Sequence, residues 1–266
     1  MEQLYGRPYA DMLQVLGEAD LRHALRELGP ASAATHLRLR LAGRDPDDGL
    51  NDIAYEKGCL LLLALEHLVG RPRLDAFITE YFARFAFQRM DTDRFAAYLT
   101  QTLLTPAEAA RLGLPPGAPT AESARLARVD AALARLAAGT PPTELHAITK
   151  EWSSQEWEHF LRGLPLTLPT EAVARLDAAF HFTASGNAEL LAAWFPLALR
   201  AGYAPADAAL ENFLRHVGRR KFLVPLYRAL LGTPGGPARA RRLYQLARPN
   251  YHSVATSTLD ALLAGG

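Results

Sequence analysis

Almost nowhere in this chain do apolar and polar residues alternate as a half-buried strand requires, whereas apolar spacings of three and four residues recur from end to end. That pattern predicts an all-α protein. The spacing places helices over 4–16, 19–28, 31–41, 51–69, 74–87 and 92–103, and then over 121–136, 143–148, 153–161, 170–180, 188–199, 206–217, 219–231, 237–247 and 253–263. Gly29-Pro30 and Gly70-Arg71-Pro72 are stop signals, and Ser153 with Glu156 three residues on reads as a capping box. Short loops carrying Gly or Pro favour antiparallel neighbours, and no strict repeat period is visible, so the expectation is an irregular superhelix of helix pairs. Leu114-Pro115-Pro116-Gly117-Ala118-Pro119 is the strongest linker signal, and a domain boundary is expected there.

Composition narrows the function classes. At 266 residues and 49% hydrophobic, the chain can bury one large core or two modest ones. A net charge of +1 without any block of like charge removes the simplest case for nucleic acid, and Arg239 to Arg242 is too short a charged face to restore it. The only lysines are Lys57, Lys150 and Lys221, a bias expected of a GC-rich, bacterial genome. Cys59 is the single cysteine, so no disulfide forms within the chain and a cytoplasmic location is expected. No apolar run is long enough for a bilayer, so no membrane partner is expected. The N-terminus, Met1-Glu2-Gln3-Leu4-Tyr5, has no signal-like region and reads as a helix entered part-way.

Three stretches carry candidate chemistry. In Asp52-Ile53-Ala54-Tyr55-Glu56-Lys57-Gly58, a phenol sits in the first turn of a helix that is apolar on nearly every side through Leu65. Such a helix is expected to be buried, placing Tyr55 on the floor of a cavity with its hydroxyl poised to donate to an oxyanion. From spacing alone, a core tyrosine with a satisfied hydroxyl is the commoner outcome. Glu56 suits the helix dipole, and Lys57 is expected to pair with an acid. Gly218-Arg219-Arg220-Lys221-Phe222 offers either a carboxylate clamp or a solvated basic patch. Asp45-Pro46-Asp47-Asp48-Gly49 is a turn whose aspartates can cap backbone amides. Among the histidines (His23, His36, His67, His146, His159, His181, His216 and His252), none is followed by glutamate or by a second histidine four residues on. No metal site, nucleophile elbow or phosphate loop is therefore expected. Phe77, Tyr81, Phe82, Phe85 and Phe87 fall at mostly helical spacing and read as core.

Tyr55-Glu56-Lys57-Gly58 running into a leucine-rich helix resembles the tyrosine motif of the zinc aminopeptidase family that includes leukotriene A4 hydrolase, and the rest of the chain resembles the C-terminal half of that family. The resemblance implies that residues 1–113 are the C-terminal portion of a thermolysin-like peptidase catalytic domain, followed over 120–266 by an armadillo/HEAT-like helical repeat domain. It implies an enzyme that removes N-terminal residues from short peptides. Tyr55 would stabilise the oxyanion, Arg219 and Lys221 with Arg220 beside them would hold the peptide carboxylate, and Asp47 would line the pocket. Leu50 stands where the epoxide-hydrolysing member has a second tyrosine, so peptide rather than epoxide hydrolysis is implied. Zinc belongs to the parent enzyme, but its His-Glu-x-x-His motif is not in this sequence, so the chain alone is expected to be inactive. The alternatives are a non-catalytic peptide- or protein-binding module and one half of a split aminopeptidase whose partner is the missing N-terminal catalytic half.

Overall fold

The computed structural model describes every residue except 30, 40, 42, 44–48, 50, 113–121 and 265–266, together with the backbone alone of 110–112. The described residues are helical and contain no strand. They divide into two compact units, Met1–Ser123 and Ala124–Gly266.

In the first unit, α1 (Glu2–Tyr5) is followed by α2 (Arg7–Leu28), one continuous helix where the sequence suggested two. Gly17 does not break it, because Met12, Gly17, Glu18, Leu21 and Ala24 share its buried face. The helix expected over 31–41 is absent from the described residues of that segment. A 3-10 turn at Ala33–Thr35 takes its place, capped by Ser32 and ending in extended backbone at His36. Residues Ile53–Lys57 form a π-helical turn that leads into α3 (Gly58–Val69).

After Gly70, whose φ of 82° suits a residue without Cβ, α4 (Arg71–Phe85) begins with Pro72 in its first turn. It stops two residues earlier than expected, since Phe87 adopts a left-handed φ of 60°. Asp91 caps α5 (Thr92–Thr102), and α6 (Pro106–Leu112), which the sequence pattern did not reveal, is tied back by Arg73 to Glu108 at 2.8 Å. Leu65, Val69, Leu74, Phe77, Tyr98, Leu99, Leu103 and Leu104 make the core of these helices.

The expectation that α3 is buried all round fails. Only Leu65 and Val69 of it are buried, whereas Cys59, Leu61 and Leu62 are exposed. The helix packs on α4 and α6 along one side, and Leu60 packs against Leu21 and Ala24 of α2.

The second unit contains α7 (Ala124–Ala137), α8 (His146–Thr149), α9 (Ser154–Gly163), α10 (Thr170–Phe180), α11 (Ala188–Arg200), α12 (Asp207–His216), α13 (Arg220–Leu231), α14 (Gly236–Ala247) and α15 (Ser253–Ala264). The expected capping box of Ser153 and Glu156 starts α9. Alternate helices pack side by side, α7 on α9, α9 on α11, α11 on α13 and α13 on α15, with α12 on α14. Between them lies one continuous core that includes Phe160, Phe182, Trp194, Phe195, Leu214 and Tyr227.

Candidate functional site

The side chains of the π turn go separate ways. Ile53, 1% exposed, packs against Leu21 and Ala24 of α2, and its amide donates to the Asn51 side-chain oxygen at 3.0 Å. Glu56 lies against Gly17 so closely that a Cβ there would overlap its carboxylate. Burial, reinforced by the charges of Asp20 and Asp52, pushes the Glu56 carboxyl above its ordinary range. Lys57 donates from Nζ to the Thr35 carbonyl oxygen at 2.9 Å, so it fastens the Ala33–Thr35 turn where an ion pair was expected. Tyr55 is left facing outward, 64% exposed. It is neither on the floor of an interior cavity nor a satisfied core tyrosine, because α2 takes the other side of the turn. Asp47, with Asp45, Pro46, Asp48 and Leu50, lies outside the described residues.

In the second unit, Arg219 is the N-cap residue of α13, and Arg219, Arg220 and Lys221 are all exposed. The backbone leading to them is fixed from α15's side of the unit. Tyr251 donates its hydroxyl to the Leu214 carbonyl at 2.5 Å and meets the Tyr227 hydroxyl at 3.2 Å. Burial pushes the Tyr251 phenol up to about 12. Gly218 passes so near Asn250 that a Cβ would stand 3.2 Å from its carbonyl oxygen.

From this base, Phe222, itself buried, gathers two cations. The Lys221 ammonium lies 4.6 Å from its ring centroid and the Arg219 guanidinium 5.7 Å. Arg219 and Lys221 therefore sit together on one ring, while Arg220 makes no ion pair among the described residues. Lys221 also pairs with Glu189 of α11 at 2.5 Å. Glu189 was not foreseen, since nothing in a separation of 32 residues marks it.

Chemically, the first unit presents a hydrogen-bond-donating phenol on a braced turn, and the second a pair of cations suited to a carboxylate. Among the described residues no group of three His, Cys, Asp or Glu side chains could hold a metal, so these residues do not fit a zinc site. Nor is any described helix long and apolar enough to cross a membrane.

Residues 152–263 match the family described as leukotriene A4 hydrolase, C-terminal. The second unit carries a leukotriene A4 hydrolase C-terminal domain. The similarity to that family extends beyond the domain. Over 98% of its length the chain is 27% identical to leucine aminopeptidase 2 of Neosartorya fischeri, and over 86% it is 30% identical to leucine aminopeptidase 2 of Emericella nidulans. It covers 45% and 40% of those proteins, so it spans less than half the length of these relatives. In structure it is similar to yeast LTA4 hydrolase solved in complex with bestatin, with a TM-score of 0.77 at 22% identity, covering 96% of this chain and 46% of that one. The native yeast LTA4 hydrolase gives 0.74 at 23% identity, covering 98% and 47%. At these identities the structural likeness shows the leukotriene A4 hydrolase fold. The chain is similar to the C-terminal half of these proteins, and the two aminopeptidase relatives named are fungal.

Proposed function

We propose that this chain is the C-terminal portion of a zinc aminopeptidase that removes N-terminal residues from short peptides in the cytoplasm. In this reading Tyr55 donates its hydroxyl to the oxyanion that forms on the scissile carbonyl. Arg219 and Lys221, with Arg220 at the rim, hold the peptide's C-terminal carboxylate, and Asp47 lines the peptide pocket. Zinc and the general base come from sequence matching the other half of the relatives. The observation that supports the reading best is the bracing of the π turn. Ile53, Glu56 and Lys57 are each engaged, which fixes the backbone of Tyr55 while leaving its phenol accessible. Fixed donors of that kind lower a barrier without reorganising at the moment of reaction.

The test adds a polypeptide bearing the His-Glu-x-x-His half and follows release of the N-terminal residue from a tripeptide. The chain alone should neither hydrolyse the peptide nor retain zinc, and the mixture should do both. Tyr55→Phe should then lower turnover about a hundredfold with little change in peptide affinity. An unchanged rate removes Tyr55 from the mechanism. Failure of the mixture to hydrolyse, with peptide binding retained by the chain, favours the second reading, a non-catalytic peptide-binding module. The lack of any candidate metal group among the described residues is the observation on that side.

A further inference from the structure

The Lys221–Glu189 pair changes what a carboxylate clamp at this place can do. Glu189 stands in the first turn of α11, and its backbone is held there. Its amide donates to the Asn187 side-chain oxygen at 2.9 Å, the Asn187 amide donates to the Ser185 hydroxyl at 3.1 Å, and the Asn187 side-chain nitrogen donates to the Ser154 hydroxyl at 2.7 Å. The carboxylate thus projects from a capped helix start that is fastened to the beginning of α9, and it reaches the Lys221 ammonium at 2.5 Å. The Phe222 ring also lies against the ammonium, its centroid 4.6 Å away. Arg219 rests on the same ring but makes no ion pair among the described residues.

We infer that Glu189 is a built-in competitor for the peptide carboxylate, tuning how tightly the proposed clamp holds its ligand. The inference rests on the carboxylate-clamp reading. A peptide carboxylate arriving at Lys221 exchanges one charged hydrogen bond for another, so this cation contributes little net affinity. Arg219, whose charge has no acid among the described residues to neutralise it, supplies most of the attraction. Removing the Glu189 charge releases Lys221 to act as a second anchor. The pair is solvent-exposed, with side chains 48% and 38% accessible, so the competition is modest and not a lock. Its consequence is a weaker, faster-releasing site for any peptide with a free C-terminus.

The experiment compares trialanine with its C-terminal amide, titrated into the full chain and into Glu189→Gln, Lys221→Met and the double variant. Binding is read by isothermal titration calorimetry, which works equally in the variants that lack Lys221. Glu189→Gln should tighten the free acid about two- to fivefold, the range an exposed ion pair supports, and leave the amide unchanged. In the Lys221→Met background the same change should have no effect. Should Glu189→Gln leave the acid unaffected while the parent chain still prefers acid over amide, Glu189 is no competitor and the clamp stands without it. A gain that persists without Lys221 is a general field effect and overturns the inference as well. If the parent chain binds acid and amide alike, or binds neither, the clamp reading itself is lost and this inference goes with it.

Discussion

Replacing Glu156 by alanine tests whether one carboxylate fastens α7 to the domain that begins at residue 152. Glu156 is 2% exposed, and a single oxygen of it accepts from Arg125 at 2.5 Å, from the Ser153 amide at 2.9 Å and from the Ser153 hydroxyl at 3.0 Å. Alanine removes the reciprocal half of the capping box, costing about 1 kcal/mol. It also removes the carboxylate that pairs with Arg125, and breaking a fully buried pair costs about 3 to 5 kcal/mol. Because the Arg125 side chain keeps 23% of its surface in water, the pair lies between the exposed and the fully buried case, at about 2 kcal/mol, and with the cap the combined loss should be about 3 kcal/mol. Trp152, Trp157 and Trp194 all lie in the second unit, so tryptophan fluorescence during urea unfolding reads that unit alone. With a slope of about 2 kcal/mol per molar urea, the midpoint should fall by about 1.5 M.

The pH dependence carries a second check. Burial by itself raises the Glu156 carboxyl, but the Arg125 and Ser153 hydrogen bonds outweigh it and hold the group below the usual carboxylate range. A group depressed in the folded state contributes stability that is complete above its unfolded value and drains away as pH falls through the folded one. The gap between parent and variant should therefore be widest at neutral pH and narrow below about pH 4. A midpoint shift under about 0.5 M urea at pH 7, or a gap that stays constant into acid, would refute this account of the α7–α9 junction.

Two further substitutions probe the first unit. Tyr98 is 6% exposed and its hydroxyl has no hydrogen-bond partner among the described residues, so Tyr98→Phe should leave stability unchanged or raise it by up to about 1 kcal/mol. Hydrogen exchange of the α5 amides measures this, and a loss beyond about 1 kcal/mol would mean that the hydroxyl is satisfied in solution. Gly17→Ala should gain up to about 1 kcal/mol of helix propensity in α2 while forcing the flexible end of Glu56 into water. The Glu56 carboxyl, now raised by burial, should then titrate nearer its ordinary range by NMR, and a net destabilisation would show that its packing against α2 outweighs the propensity gain.

Where sequence and structure agree, local signals and packing point the same way. The Ser153 cap and the Gly70-Arg71-Pro72 break are decided within a few residues, and each stands where the pattern put it. The misses have tertiary causes. A glycine inside α2 reads as a break, yet here it is the place where Glu56 approaches the helix. Residues 31–41 carry helical spacing, but the turn at Ala33–Thr35 gives its last carbonyl to Lys57 from across the fold. The basic triplet was legible as a pair of cations, and its neutralising glutamate was not, because α11 and α13 meet only in three dimensions.

The tyrosine motif shows the same division more sharply. Ile53, Glu56 and Lys57 stand at i, i+3 and i+4, and all three engage α2 or the turn that follows it. Tyr55, Cys59 and Leu62 stand at i, i+4 and i+7 on another face, and all three are exposed. The arrangement inverts the usual amphipathic helix, in which charges face water and apolar side chains face the core. A rule built on apolar content alone buries this helix, since it presumes a neighbour for every face. The described residues of the first unit supply neighbours for Leu65 and Val69 and leave Leu62 42% accessible. The apolar character of that face therefore has no explanation in the unit's own stability. Glutamate and lysine spent on holding the turn, with a phenol left free beside them, make sense where the free side is the one that works. That is why the turn, and not the helix it begins, carries the functional proposal.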